Sequence, residues 1–157
     1  MKQIIREQFL KITPQQCWDY FATPVNLNDI TPRDMQFEIT SLPSDKMYAG
    51  MLITYVVRPF LRIPFSWCTE ITHIREGVYF VDEQRVGPFR IWHHEHHFKA
   101  VEGGILMTDI LYYDIGKSVL GWLAGLLGVH RRVHEIFEFR RLALEKKFNA
   151  VSDGGNR

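Results

Sequence analysis

Cysteine is scarce in this 157-residue chain: Cys17 and Cys68 are the two present, far apart and in no metal-ligand spacing. That excludes a disulfide-built scaffold and a cysteine-based zinc module, and predicts two small buried thiols in a reducing compartment. An excess of charge of one sign is missing too. The 19 basic and 18 acidic residues leave a net charge of +1, so no nucleic-acid partner and no acidic partner is expected. No apolar run approaches the roughly 20 residues of a membrane span. The first residues, Met1-Lys2-Gln3-Ile4-Ile5-Arg6-Glu7, place charges where a signal peptide needs an apolar stretch. The expectation is a cytoplasmic protein. A phosphate-binding loop, a nucleophile elbow and a dinucleotide fingerprint are also lacking, and no cofactor is expected.

Aromatic residues, by contrast, are plentiful: 11 Phe, 6 Tyr and 4 Trp. Large flat side chains fill cores, and they also line pockets for apolar ligands. The length predicts one domain with a substantial core.

The order of periodicities sets the architecture. Residues 2–12 predict a strand. Thr13-Pro14 then opens a short helix in which Trp18 and Phe21 share a face, and Thr23-Pro24 opens a second one that stops near Thr31-Pro32. From Met35 the period becomes two, with Met35, Phe37 and Ile39 on one side of a strand. Further strands are predicted at about 50–58, 65–75, 78–86, 89–101 and 105–115. They are separated by turn residues such as Arg75-Glu76-Gly77, Gly87-Pro88 and Glu102-Gly103-Gly104. Short turns between consecutive strands imply an antiparallel meander. A helical pattern then runs to about residue 148: Val119, Trp122, Leu126, Val133, Phe137 and Leu144 mark one face, and Arg131, Glu135, Glu138 and Arg141 the other. The class is α+β: a sheet of about seven strands, two short helices after the first, and a long C-terminal helix. Residues 1–150 form a single domain, and 151–157 are expected to be a disordered tail.

This order resembles the START-like (SRPBCC) superfamily with its Bet v 1-like helix-grip fold. Within it the chain is similar to a bacterial group of stand-alone ligand-binding proteins. The residues that carry the likeness are Asn26-Leu27-Asn28-Asp29-Ile30-Thr31-Pro32, Ile63-Pro64-Phe65-Ser66-Trp67, Phe80-Val81-Asp82-Glu83-Gln84-Arg85-Val86-Gly87-Pro88-Phe89, Trp92-His93-His94-Glu95-His96-His97-Phe98, Met107-Thr108-Asp109 and Ile136-Phe137-Glu138-Phe139-Arg140-Arg141. The resemblance implies a curved antiparallel sheet closed over the long helix around a cavity for an apolar small molecule. It implies little about chemistry, because this fold hosts carriers, sensors and enzymes.

The densest chemistry lies in residues 92–98, where four histidines fall within five positions. On a strand, alternate residues face opposite ways. Trp92, His94, His96 and Phe98 therefore share the inner face, while His93 and His97 look to solvent. A two-residue hairpin at Glu102-Gly103 sets Phe98 opposite Met107, His96 opposite Asp109, His94 opposite Leu111 and Trp92 opposite Tyr113. A three-residue turn at Gly87-Pro88-Phe89 sets Asp82 opposite His94 and Gln84 opposite Trp92. Asp82, His94, His96 and Asp109 then meet on one inner face. Such a cluster can be a polar network that fixes register, a polar anchor or general base, or a divalent metal site. Alternation on adjacent strands supplies no closed tetrahedral ligand set, and no metal is expected.

The leading expectation is binding of a hydrophobic or amphipathic molecule (a lipid, isoprenoid or aromatic polyketide-like compound). Trp67, Phe80, Trp92, Phe98 and Phe137 would form the wall, with Asp82, Gln84, His94, His96 and Asp109 as polar anchors. Tyr55 and Tyr113 can point hydroxyls inward, and Arg140 follows the apolar stripe of the helix. The alternative is a cyclase or dehydratase with His94 or His96 as general base, for which Asp82 and Asp109 are further candidates. A third reading uses the apolar stretch 119–129, which contains three glycines, to meet a membrane or a second copy of the chain as a homodimer.

Overall fold

The computed structural model describes residues 1–58, 63–116 and 128–150. Strand β1 (Lys2–Leu10) leads into helix α1 (Pro14–Phe21). Thr13 and Gln16 close a capping box at its start. The Thr13 hydroxyl accepts from the Gln16 N–H at 3.2 Å, and the Gln16 side-chain oxygen accepts from the Thr13 N–H at 3.0 Å. This sets the angle at which α1 presents Cys17, Trp18, Tyr20 and Phe21 to the interior. Thr23-Pro24 opens the second short helix, Pro24–Ile30, which winds with the tighter 3-10 pitch.

One strand boundary differs from the sequence reading. Met35 does not start a strand but ends a turn of 3-10 helix, Arg33–Met35, and Gln36 then takes a left-handed conformation at φ 44°. The Met35 carbonyl accepts from Arg58 N–H at 2.7 Å, which holds this corner onto the next strand. Strand β2 begins at Glu38 (Glu38–Ser41). The alternation of Met35, Phe37 and Ile39 thus comes from a turn that buries Met35, followed by a short edge strand.

The other strands are β3 (Met51–Val57), β4 (Phe65–Arg75), β5 (Tyr79–Val86), β6 (Ile91–Val101) and β7 (Gly104–Asp114). They form one antiparallel sheet in the order β1-β7-β6-β5-β4-β3-β2. The β4–β5 ladder carries two bulges, one on β5 between Gln84 and Val86 and one on β4 between Ile71 and His73, and they bend the sheet there. Helix α2 (Val129–Leu144) lies across the inner face and is prolonged by a wider turn, Glu145–Asn149. This is the helix-grip architecture. Among the described residues no helix is long and apolar enough to cross a membrane. Most of the apolar stretch 119–129 lies outside the described residues, as does the tail 151–157. Both cysteines are free; Cys17 is buried and Cys68 only half-buried.

Two apolar clusters flank the middle of the inner face. At one end Trp18 and Phe21 of α1 pack with Leu10, Phe80, Phe98, Ile105, Met107 and Leu144. At the other, Val129, Val133 and Phe137 of α2 pack on Ile4, Leu111 and Tyr113. The β6–β7 hairpin turns through Gly103, at φ 79°, and the register follows from it. Its neighbour Gly104 is needed for a different reason: a Cβ there would run into the Leu10 carbonyl oxygen of β1. Gly104→Ala is therefore expected to cost about 1–3 kcal/mol in urea unfolding, because strand backbone has to move apart. An unchanged midpoint would mean that β1 does not close on β7 here.

Candidate functional site

Three strands and a helix bring ionisable groups into the gap between the two clusters. The hairpin sets His96 opposite Asp109 and His94 opposite Leu111, and β5 sets Asp82 opposite His94. Even-numbered residues of β6 face inward, so Trp92, His94, His96 and Phe98 line up on the inner face of the sheet. His94, His96 and Asp109 are 3%, 7% and 2% exposed.

Each imidazole is held between the two carboxylates. Asp82 Oδ2 lies 3.0 Å from His96 Nε2 and 3.5 Å from His94 Nδ1. Asp109 Oδ1 lies 2.8 Å from His96 Nδ1 and 3.6 Å from His94 Nε2. The rings sit 3.9 Å apart, tilted by 49°. Phe80 stacks on His96 at 4.3 Å, and Phe137 packs on His94 at 5.3 Å. From α2, Arg140 reaches in: its Nη1 lies 3.9 Å from Asp109 Oδ2, and its guanidinium lies 5.4 Å from the Phe137 ring centre. It is a partner of the buried acid, where a surface arginine would be the commoner arrangement. His94 Nε2, Asp109 Oδ1 and Arg140 Nε have no aligned hydrogen-bond partner among the described residues. Beside Asp109 and Arg140, between β1, β7 and α2, lies a gap of about 10 Å³, about the room of one water.

The electrostatics follow from burial and pairing. Burial pulls His96 down, but the Asp109 and Asp82 carboxylates outweigh it and hold the ring above the usual imidazole value. His94 goes the other way: burial, aided by the charge on His96, lowers it to about 4. Burial works to raise Asp109 and Asp82, yet the imidazoles facing them outweigh it. Asp109 lies well below the ordinary carboxylate range and Asp82 below it.

The expected wall residues divide by location. Phe80 and Phe98 are buried against Trp18, at ring distances of 6.4 and 6.1 Å, and Phe137 is buried on the sheet-facing side of α2. Trp67 and Trp92 keep half-buried faces and meet edge to face at 5.2 Å. The row of rings extends to residues the sequence reading did not select, Phe89 and Phe37. Phe89 lies 4.8 Å from Trp92 and 5.7 Å from Trp67, and Phe37 lies 4.7 Å from Tyr55. All of these rings are half-buried. Trp92 then stands edge-on to His94 at 6.4 Å and joins the row to the charged cluster.

One expected anchor, Gln84, and the Tyr55 hydroxyl are taken up elsewhere. The pairing of β5 with β6 ends at Glu83 and His93, so Gln84 does not face Trp92 across the ladder. The loop is wider than a three-residue turn, and the Gln84 amide fills it by donating to the Phe89 carbonyl and accepting from the Phe89 N–H. The Tyr55 hydroxyl bonds Thr69 Oγ1 at 2.6 Å, and Trp67 Nε1 donates to the same oxygen at 3.1 Å. Thr69 went unselected although it shares parity with Trp67 and Ile71, the one signal that marks it as inward. Tyr113 is fully buried, its hydroxyl 3.3 Å from His130 Nδ1. On the outer face His93 and His97 pair with Glu83 and Glu95. A larger open groove of about 380 Å³, between the start of α1 and the β6–β7 hairpin, brings no imidazole or carboxylate together.

No protein-family model matches the sequence. No curated protein matches it either. Solved structures do. TTHA0849 from Thermus thermophilus superposes with a TM-score of 0.67 at 17% identity, over 96% of this chain and 99% of that one. Ginseng major latex-like protein 151 from Panax ginseng gives 0.56 at 18% identity, over 84% and 94%. Ara h 8.0201 gives 0.59 at 13% identity, over 92% and 98%. At these identities the likeness is one of fold.

Proposed function

We propose that this chain binds an amphipathic small molecule (a lipid, isoprenoid or aromatic polyketide-like compound). Its apolar body lies along Trp67, Trp92, Phe89 and Tyr55, and its polar end is turned to His94 and Arg140. The observation that carries this reading is the continuous row of half-buried rings ending on a buried charged cluster. A folded domain gains by burying such surface, at about 25 cal/mol per Å² before the costs of association. A row left half-buried is a surface for a ligand to cover. A wall of aromatic faces with a few convergent polar groups is the usual build of a small-molecule site. The resemblance of the fold to ligand-carrying domains supports the same reading.

The test uses anilinonaphthalene sulfonate, an anionic amphipathic dye. Micromolar affinity is expected for the native chain, weakened about tenfold or more in a Trp67→Ala/Trp92→Ala variant whose circular dichroism is unchanged. Equal affinity in that folded variant, or no binding to the native chain, overturns the reading.

A further inference from the structure

The His94 and His96 rings present four nitrogens to two carboxylates, and the donors do not balance. Two neutral imidazoles carry two N–H groups for four nitrogen–carboxylate contacts; adding a proton makes three. A fourth N–H would need both rings charged together only 3.9 Å apart; short of that, at least one contact sets a nitrogen lone pair against a carboxylate oxygen, inside an interior where unmatched polar atoms are costly. Two of the facing atoms, His94 Nε2 and Asp109 Oδ1, stand 3.6 Å apart and have no aligned partner among the described residues.

A metal ion resolves the count. We propose that Asp82, His94 and His96 form a binding site for a divalent transition-metal ion, with Asp109 orienting both rings. In that arrangement His94 Nδ1 and His96 Nε2, the nitrogens that face Asp82, are the ligand atoms. The far nitrogens carry the two N–H groups, and both already face Asp109 Oδ1. A carboxylate accepting the outer N–H of a ligating histidine is the recurrent support of such sites. All four contacts are then matched.

The spacing agrees. The three ligand atoms lie within 4.8 Å of one another. The Asp82 oxygen is 3.0 and 3.5 Å from the two nitrogens. Ligands about 2.0–2.2 Å from one ion stand roughly 3–3.5 Å apart, so small movements suffice. Two imidazoles and a carboxylate suit zinc, cobalt, nickel or iron rather than magnesium or calcium. In the sequence a metal is one reading of this cluster, set aside there because adjacent-strand alternation gives no closed tetrahedron; the proposed site closes on three ligands and leaves further positions open.

The proposal shares His94 with the small-molecule reading but does not depend on it, and its probe is the metal alone. Untagged protein is stripped with chelator and titrated with Co²⁺, followed by calorimetry and by the visible absorption of the bound ion. One Co²⁺ per chain is expected. Binding should weaken at least about tenfold in Asp82→Asn or His96→Gln, and about 10–100-fold in Asp109→Asn. An outer-face variant, His93→Gln/His97→Gln, should bind as the native chain does. If the inner variants fail to fold, the outer-face variant decides alone: retained binding supports the inner site. No stoichiometric uptake by the native chain, or uptake lost in the outer-face variant, overturns the proposal.

Discussion

Asp109→Ala is expected to lower the unfolding free energy of the metal-free protein by about 3–5 kcal/mol, the usual cost of removing one partner from a buried ionic group. Asp109 is 2% exposed and faces His96, His94 and Arg140. Its removal leaves the Arg140 guanidinium, already without a partner at Nε, still less compensated in a low-dielectric interior. For a chain of this length the loss corresponds to a fall in Tm of roughly 6–20 °C. Asp109→Asn keeps the shape and one acceptor, and should fall between the alanine variant and the native chain. Adding Arg140→Met to Asp109→Ala should cost less than the sum of the two single changes, with a coupling of about 0.5–3 kcal/mol. A loss below about 1 kcal/mol in urea unfolding would mean that water reaches the cluster and that its charges are not confined. Buried ion clusters rarely add stability compared with well-packed apolar side chains. The chain therefore carries Asp82, His94, His96, Asp109 and Arg140 together at an energetic cost, which is what a site for a ligand or ion requires.

Much of this cluster was legible because turns fix strand parity. Glu102-Gly103 is a two-residue connection, and every pair from Trp92–Tyr113 to Phe98–Met107 follows from it. Parity does not report what lies above a strand. Phe80, Phe98, Trp67 and Trp92 read alike as inward aromatics, yet α1 covers the first two and leaves the others half-buried. Nor does alternation survive a bulge. The extra residue of β5 between Gln84 and Val86 shifts its pairing with β4 and puts Thr69 opposite Gln84 and Ile71 opposite Asp82, and a second bulge, on β4 between Ile71 and His73, shifts it again. Arg140 needed a further piece of knowledge, the rotation of α2 over the sheet, which helical periodicity leaves free. Met35 failed for a local reason: a left-handed Gln36 makes a turn that mimics the spacing of a strand.

Phe98→Ala should separate the packed end of the interior from the binding end. The Phe98 ring meets Phe21 at 5.2 Å and Trp18 and Phe80 at 6.1 Å each. Truncation removes a buried ring and three aromatic contacts at once, and leaves a cavity that the β6 backbone cannot close, because Phe98 N–H is held by the Val78 carbonyl at 2.8 Å. The expected loss is about 3–5 kcal/mol, or a Tm fall of roughly 6–20 °C by calorimetry. Phe98→Leu, which refills most of the volume, should lose clearly less. Dye affinity should hold within about twofold in the Phe98→Ala protein that remains folded, since Phe80 and His96 stand between this ring and the Trp67–Trp92 row; a twofold change is only about 0.4 kcal/mol. The Trp67→Ala/Trp92→Ala variant should show the reverse, with stability changed less than in Phe98→Ala and affinity reduced. If Phe98→Ala instead abolishes binding while the tryptophan variant retains it, the ligand enters at the α1 end and the row of rings is ordinary surface.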